Sequence, residues 1–330
     1  ERAYIRAGTA APVLRASFGW GHERWRTGGY ARIRRPIGPH AGLDAGTRVD
    51  RESVHGAVSA SPWLLARWTP TPRWTVAAGT GLAWQVAELA MLPPSPSQTP
   101  PGLERARHAD LAVERTLGGA LRLQVALYDR ADRGTLRLDE AMPRLVNGVV
   151  RTPPASNLWL NALDVDARGA ELTLRRTAAT GLVGWVSYAY GTTRATDRMT
   201  SARYWADFDQ RHQVNAYGAY RVDARTSLGV KFRYGSNFPL LGYLAGATGA
   251  LRPSATRNEA RLPAYARLDL RASRTFLWGA RRLTLFAEVL NATGRENLGR
   301  TDGTIAGSRV LGFTESLLPR LPSAGIRLEF

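Results

Sequence analysis

Groups that could perform bond-making chemistry are sparse in this sequence. The five histidines, His22, His40, His55, His108 and His212, are scattered without the short spacing that gathers a metal ion. Cysteine is absent, which removes thiolate nucleophiles, disulfides and Cys-ligated zinc. No glycine-rich phosphate loop and no nucleophile elbow occurs. The acidic pairs Asp164 with Asp166 and Asp207 with Asp209 stand beside so many arginines that ion pairing is their expected role. His212, in Asp209-Gln-Arg-His, is expected to be a hydrogen-bonded residue at the start of a strand. The expectation is a protein with no catalytic residues, no metal site and no cofactor, hence not an enzyme.

What remains is recognition chemistry. The net charge of +18 comes almost wholly from arginine, because Lys231 is the only lysine. Such a balance favours anionic partners. A nucleic-acid module would gather its basic residues into one helix, arm or stripe. Here they are dispersed, so nucleic acid is not the expected partner. Many occupy alternate positions: Arg267, Asp269 and Arg271 interleave with Leu268, Leu270 and Ala272. That period of two puts charge on one face of a strand and apolar groups on the other.

The elements that carry these groups are therefore strands. Alternation is clearest over residues 121–129, 170–176, 227–234, 264–272, 283–290 and 324–330. No segment approaches the roughly 20 continuous apolar residues of a membrane helix. Barrel strands need only about 9–11 residues with alternate apolar positions, so this does not exclude a membrane. A soluble sandwich alternates too, and strand pattern alone leaves the choice open.

The links between strands carry more information. About 14 strands are joined by connections that alternate short and long, with tight turns collected at one end of the sheet and loops at the other. Short links fall near 36–40, 69–73, 118–119, 177–181, 222–226 and 278–281, and long ones near 85–105, 130–166, 191–209, 235–262 and 292–322. Links near His22 and Ser53 are short exceptions on the long side. Aromatic residues, among them Trp63, Trp68, Trp74, Trp84, Trp185, Tyr188, Tyr190, Tyr220, Tyr234, Phe276 and Trp278, fall mostly near strand ends, as in an interfacial girdle. The expected fold is an all-β, transmembrane antiparallel barrel.

Several motifs carry a family resemblance. They are Gly42-Leu-Asp-Ala-Gly-Thr-Arg-Val-Asp50, Gly79-Thr-Gly-Leu-Ala-Trp-Gln85, Ala167-Arg-Gly-Ala-Glu-Leu172, Trp185-Val-Ser-Tyr-Ala-Tyr190, Asp209-Gln-Arg-His-Gln-Val-Asn215 and Arg233-Tyr-Gly-Ser-Asn-Phe-Pro239. The most specific are Leu262-Pro-Ala-Tyr-Ala-Arg-Leu-Asp-Leu270 and Phe286-Ala-Glu-Val-Leu-Asn291. In order and spacing the chain resembles the TonB-dependent receptors. Gly325, Leu328 and Phe330 are similar to the C-terminal assembly signal of such barrels.

The resemblance implies a barrel of about 22 strands, of which residues 1–330 would form the C-terminal portion. A plug domain and a segment that engages TonB are not recognisable in the chain, which opens at Glu1 without the charged and apolar regions of a signal peptide, so that either one was removed or the chain starts mid-protein. The chain is thus expected to be part of a longer protein. The implied function is TonB-coupled uptake of a scarce nutrient, such as a ferric siderophore, across the outer membrane of a Gram-negative bacterium. Implied partners are the outer membrane and its lipopolysaccharide, TonB through the missing N-terminal region, the barrel assembly machinery and a small-molecule ligand.

Ligand-binding candidates are the loop residues Arg133, Arg137, Trp159, Arg203, Tyr204, Trp205, Tyr243, Arg252, Arg257 and Arg309, whose guanidinium forks and aromatic faces suit a planar, anionic, partly aromatic ligand. The same groups suit lipopolysaccharide phosphates. Two other readings stay open: a passive pore closed by about 14 strands, and a soluble β-protein that binds polyanions.

Overall fold

A computed structural model gives the arrangement of residues 2–5, 13–17, 25–54, 56–93, 98–118, 120–178, 181–247, 250–306 and 309–330. For residues 2–5, 13–17, 300–304, 306, 309 and 311–314 the backbone alone is described. His22 and His55 lie outside the described residues.

One antiparallel sheet of 14 strands dominates the molecule. Thirteen strands follow one another in chain order: β1 (Arg26–Ile37), β2 (Ala41–Glu52), β3 (Val58–Thr71), β4 (Trp74–Gln85), β5 (Glu104–Gly118), β6 (Leu121–Leu138), β7 (Trp159–Arg176), β8 (Leu182–Asp197), β9 (His212–Arg221), β10 (Thr226–Gly235), β11 (Tyr265–Trp278), β12 (Arg281–Leu290) and β13 (Leu321–Glu329). The fourteenth, Arg203–Trp205, lies in a long link and pairs with the end of β8. Among the described residues β1 and β13 are the two ends of the sheet and do not pair with each other. The segments Arg2–Ile5 and Val13–Ser17 form a separate two-stranded sheet.

The link rhythm is as expected, and the exception after Ser53 is present. Three long links carry small hairpins of their own: Arg144–Val146 with Val149–Arg151, Leu244–Ala245 with Arg252–Pro253, and Leu298–Ala306 with Arg309–Ser316. The strands flanking two long links run further than the apolar alternation shows. β6 and β7 have 18 residues each and β8 has 16. Eighteen residues extend about 60 Å, roughly twice what a tilted strand needs to cross hydrocarbon. Arg133, Arg137 and Trp159, expected in loops, therefore stand on these strand extensions.

Register settles which residues share a face. Leu228, Val230 and Phe232 lie opposite Ala272, Leu270 and Leu268, while Lys231 and Arg233 lie opposite Asp269 and Arg267. The apolar row continues through Leu285 and Ile326. Leu228, Val230, Leu270, Ile326 and Leu328 are all exposed. In a soluble sandwich this face would be buried against a second sheet. Among the described residues nothing covers it, which fits a surface that meets lipid.

On the apolar face, Trp68, Trp74, Tyr220 and Phe276 stand near the short-link end. Tyr188, Tyr190 and Tyr234 stand toward the long-link end. From the level of Tyr220 to that of Tyr188 and Tyr190 is roughly 20–26 Å along the strand, the scale of a barrel's lipid-facing band. Trp63 departs from this pattern. It sits in the middle of β3 on the polar face, with its Nε1 donating to Asp44 at 3.5 Å.

The polar face is laced with ion pairs: Arg26 and Arg48 hold Asp50 at 3.0 and 2.7 Å, and Arg32 and Arg34 share Asp44. Near the C-terminus, Gly325 lies opposite Phe286, whose ring occupies the space a Cβ at Gly325 would need. Arg271 stacks on the same ring at 4.0 Å.

Candidate ligand site at the long-link end

Buried asparagines hold the long links together. Asn258 is fully buried and adopts a positive φ of 58°, a conformation that asparagine tolerates better than other side-chain-bearing residues. Its Nδ2 donates to the Trp205 carbonyl at 2.8 Å and to Asp207 Oδ1 at 2.6 Å, and its Oδ1 accepts from the Gly242 N–H at 3.3 Å. Asn237 donates to the Pro263 carbonyl, and the fully buried Asn291 to the carbonyls of Arg295 and Leu318. Backbone that strand pairing does not satisfy is thus satisfied by side-chain amides, which fixes the loops against one another.

Beneath these loops is a cavity of about 450 Å³ lined by Arg137, Trp159, Tyr204 and Arg257 together with Met142, Asp207 and Phe208. A second, of about 600 Å³, shares Asp207, Phe208 and Leu241 with it and reaches Arg233 and Tyr265. Register places Arg233 and Tyr265 on the polar face, so the paired cavities lie over the inner wall of the curved sheet. Their sizes fall within the range of small-ligand sites.

Both cavity arginines are positioned by carboxylates. Arg137 meets Asp197 at 3.3 Å and Asp139 at 3.7 Å. Arg257 meets Asp207 at 3.1 Å and lies 5.6 Å from the Tyr204 ring centre. Burial is the largest influence on Arg257 and would lower its pKa, but Asp207, Tyr204 and Tyr243 together more than offset it and the net shift is upward. Burial pushes the Tyr204 hydroxyl up to about 12. Asp139 is held below the usual carboxylate range, chiefly by the Ser156 backbone N–H.

Among the described residues, Nε of Arg137 and Nε of Arg257 are buried without a hydrogen-bond partner. The two guanidinium groups stand beside an indole, a phenol and a thioether, a combination suited to an oxygen-bearing ligand.

Of the ten expected ligand residues, four come together here: Arg137, Trp159, Tyr204 and Arg257. Tyr243 sits at the edge of the cluster and accepts a hydrogen bond from Arg144 at 2.8 Å. Arg252 is exposed on its hairpin. Arg133, Arg203 and Trp205 share the apolar face of the sheet and so point away from the cavity; Arg133 pairs with Asp166 at 2.7 Å. The side chain of Arg309 lies outside the described residues.

Asp164 and Asp166 pair with Arg198 and Arg133, and Asp207 and Asp209 with Arg257 and Arg261, as expected of acids among arginines. His212 opens β9, and its Nδ1 lies 2.9 Å from the Tyr188 hydroxyl. Met142, Arg144 and Asn258 were not singled out from sequence; Asp207 was read only as an ion-pairing acid, and Asn237 and Asn291 only as parts of family motifs. Asparagine in a link or at a strand end was the one available signal, because that residue tolerates the positive φ found at all three positions.

The family model for TonB-dependent receptor-like β-barrels matches residues 3–292. No curated protein matches the sequence. The chain is similar in fold to the FrpB iron transporter of Neisseria meningitidis, F3-3 variant, with a TM-score of 0.64, 17% identity, and coverage of 92% of this chain and 45% of that one. The ferripyoverdine receptor of the outer membrane of Pseudomonas aeruginosa gives a TM-score of 0.61, 14% identity, and coverage of 87% and 37%. The copper transporter OprC gives 0.64, 13%, and coverage of 99% and 51%. The chain therefore spans about half the length of these structures or less.

Proposed function

The chain belongs to the TonB-dependent receptor β-barrel family, and from that premise we propose that it serves TonB-coupled uptake of a scarce nutrient across the outer membrane of a Gram-negative bacterium. Members of this family are transport proteins without an enzymatic step. The proposed ligand is oxygen-rich and anionic, with a ferric siderophore as the leading class. The observation that carries this reading is the cavity on which Arg137 and Arg257 converge with Trp159 and Tyr204.

Among the described residues β1 and β13 have no partner on their outer edges, which supports reading the chain as the C-terminal portion of a larger barrel, since lipid cannot satisfy an open edge. Such edges do not favour a pore closed by these strands alone. On this reading TonB engages a region outside the chain, and the terminus with Gly325, Leu328 and Phe330 addresses the barrel assembly machinery.

The experiment is a binding titration of the protein in detergent against a panel of ferric siderophores. One or more should bind the wild type and lose affinity on Arg137→Ala or Arg257→Ala. Binding that ignores both substitutions would remove this cavity from the account.

A further inference from the structure

The two adjoining cavities under the long links differ in chemistry. The first holds the guanidinium groups of Arg137 and Arg257. The second is walled largely by apolar side chains, among them Phe238, Leu240, Leu298 and Leu317. Leu240 and Leu262 join this wall to a buried apolar cluster that includes Leu244 and Ala260, so the second cavity has a packed backing. Phe208, Phe238 and Leu317 come from three separate links and are 62, 40 and 38% exposed. One exposed apolar group is ordinary, but three that converge on a single cavity form a patch of the kind that marks a ligand-binding groove. Arg233 and Tyr265 place this cavity over the polar face of the sheet, so lipid is not what covers it.

Polar groups on the link side of the second cavity are already engaged. Asn237 donates to the Pro263 carbonyl at 2.8 Å, and its Oδ1 accepts from the Phe238 N–H at 2.9 Å. Asp207 lines both cavities; it accepts from Asn258 at 2.6 Å and from Arg257 through both carboxylate oxygens. Its charge is thus matched where the cavities meet, and it does not repel an anion bound beside it. The other polar groups, Gln210, Arg233 and Tyr265, lie within two residues of a sheet strand.

A cationic chamber beside an apolar one fits a ligand with two matching parts. A wholly polar ligand would leave Phe238 and Leu317 in water, and a wholly apolar one would gain nothing from Arg137 and Arg257. Leucines predominate over rings in the apolar wall, which suits a flexible chain more than a second flat group. We propose that the ligand is an amphiphile: an anionic, oxygen-rich head at Arg137 and Arg257 that carries one aliphatic chain, laid in the cavity of Phe238, Leu240 and Leu317. The inference names the substrate class for the uptake reading above and rests on it.

The test is a chain-length series. The probes are radioiron complexes of a citrate dihydroxamate bearing acyl chains of two, four, six and eight carbons. Binding is measured on cells that produce the protein and are de-energised with a protonophore; cells lacking it supply the blank for partition into membranes. Each added methylene should raise affinity by about two- to fourfold until the cavity is filled, from the free energy of burying one such group. Arg257→Ala should weaken every member by a similar factor. F238S/L317S, which replaces two exposed side chains outside the first cavity, should flatten the series, with heat-modifiable migration showing that the barrel is folded. A flat series in the wild type, or an undiminished slope in folded F238S/L317S, would overturn the amphiphile while leaving the uptake reading in place. Failure of every complex to bind, the two-carbon one included, or binding of that complex indifferent to Arg257→Ala, would instead strike the reading on which it rests.

Discussion

Asn258 reaches across 53 residues of chain to donate to the carbonyl of Trp205 at 2.8 Å, tying the loop before β11 to the loop before β9. The same amide nitrogen donates to Asp207 Oδ1 at 2.6 Å, and Asp207 in turn pairs with Arg257. The ligand cavity therefore depends on a residue that does not line it.

Asn258→Ala leaves buried groups unpartnered and places a residue with no side-chain amide at a positive φ. The expected local cost is about 1–3 kcal/mol. Limited proteolysis should cut the long links faster, with the heat-modifiable migration of the barrel unchanged. Equal cleavage rates in variant and wild type would contradict the role given to this amide.

Arg137→Ala and Arg257→Ala should each weaken ligand binding by about 10- to 100-fold, the range for a charge-assisted bond. Arg252→Ala, on an exposed hairpin that does not line either cavity, should change affinity little. Titration calorimetry on the three variants checks the ranking, and a larger effect at Arg252 than at Arg257 would reverse it.

Tyr204 gives the loop cluster an alkaline limit. Its hydroxyl is pushed by burial to about 12, above the usual phenol value near 10. The contribution of the neutral buried form is complete below the unfolded value and is lost as pH rises toward the folded one. Hydrogen exchange or proteolysis should show the loops opening between about pH 10 and 12, and Tyr204→Phe should abolish that dependence. A transition in this window that persists in the phenylalanine variant would assign it elsewhere.

Gly325 makes room for the Phe286 ring on the adjacent strand. Gly325→Val should lower the yield of folded barrel, because the branched side chain and the ring claim one volume. Gly29, which has open space at its Cβ position, should accept alanine without loss. Outer-membrane yield on a heat-modifiability gel is the readout.

How far the sequence was readable follows from what each residue does. Arg267, Asp269 and Arg271 against Leu268, Leu270 and Ala272 reported a strand because one face meets apolar surroundings and the other does not. The continuation of β6 from Asp129 to Leu138 gave no such sign, since both faces of a projecting strand are polar and backbone pairing alone extends it. Arg137, Trp159, Tyr204 and Arg257 were visible as residue types. Their convergence, and the opposite direction taken by Arg133, Arg203 and Trp205, depends on register and on contacts between residues 50 and 53 positions apart.

The absence of native cysteine makes sidedness directly measurable. Cysteines placed at Ser201 and Arg252, exposed at the long-link end, should react with an impermeant thiol reagent on intact cells. Cysteines at Ala224 and Ala280, exposed in short turns, should not. Arg137 is the poorer probe, being only 20% exposed. Equal labelling at both ends with an intact outer membrane would overturn the assignment of sides.

The central claim is energy-coupled uptake through this barrel, and it is tested most directly by radioiron accumulation. Cells producing the protein are supplied with the ferric siderophore that binds it, with and without a protonophore. The account predicts accumulation that falls to background when the inner membrane is de-energised. Accumulation into the periplasm that continues unchanged without the proton gradient would show a passive channel and contradict it.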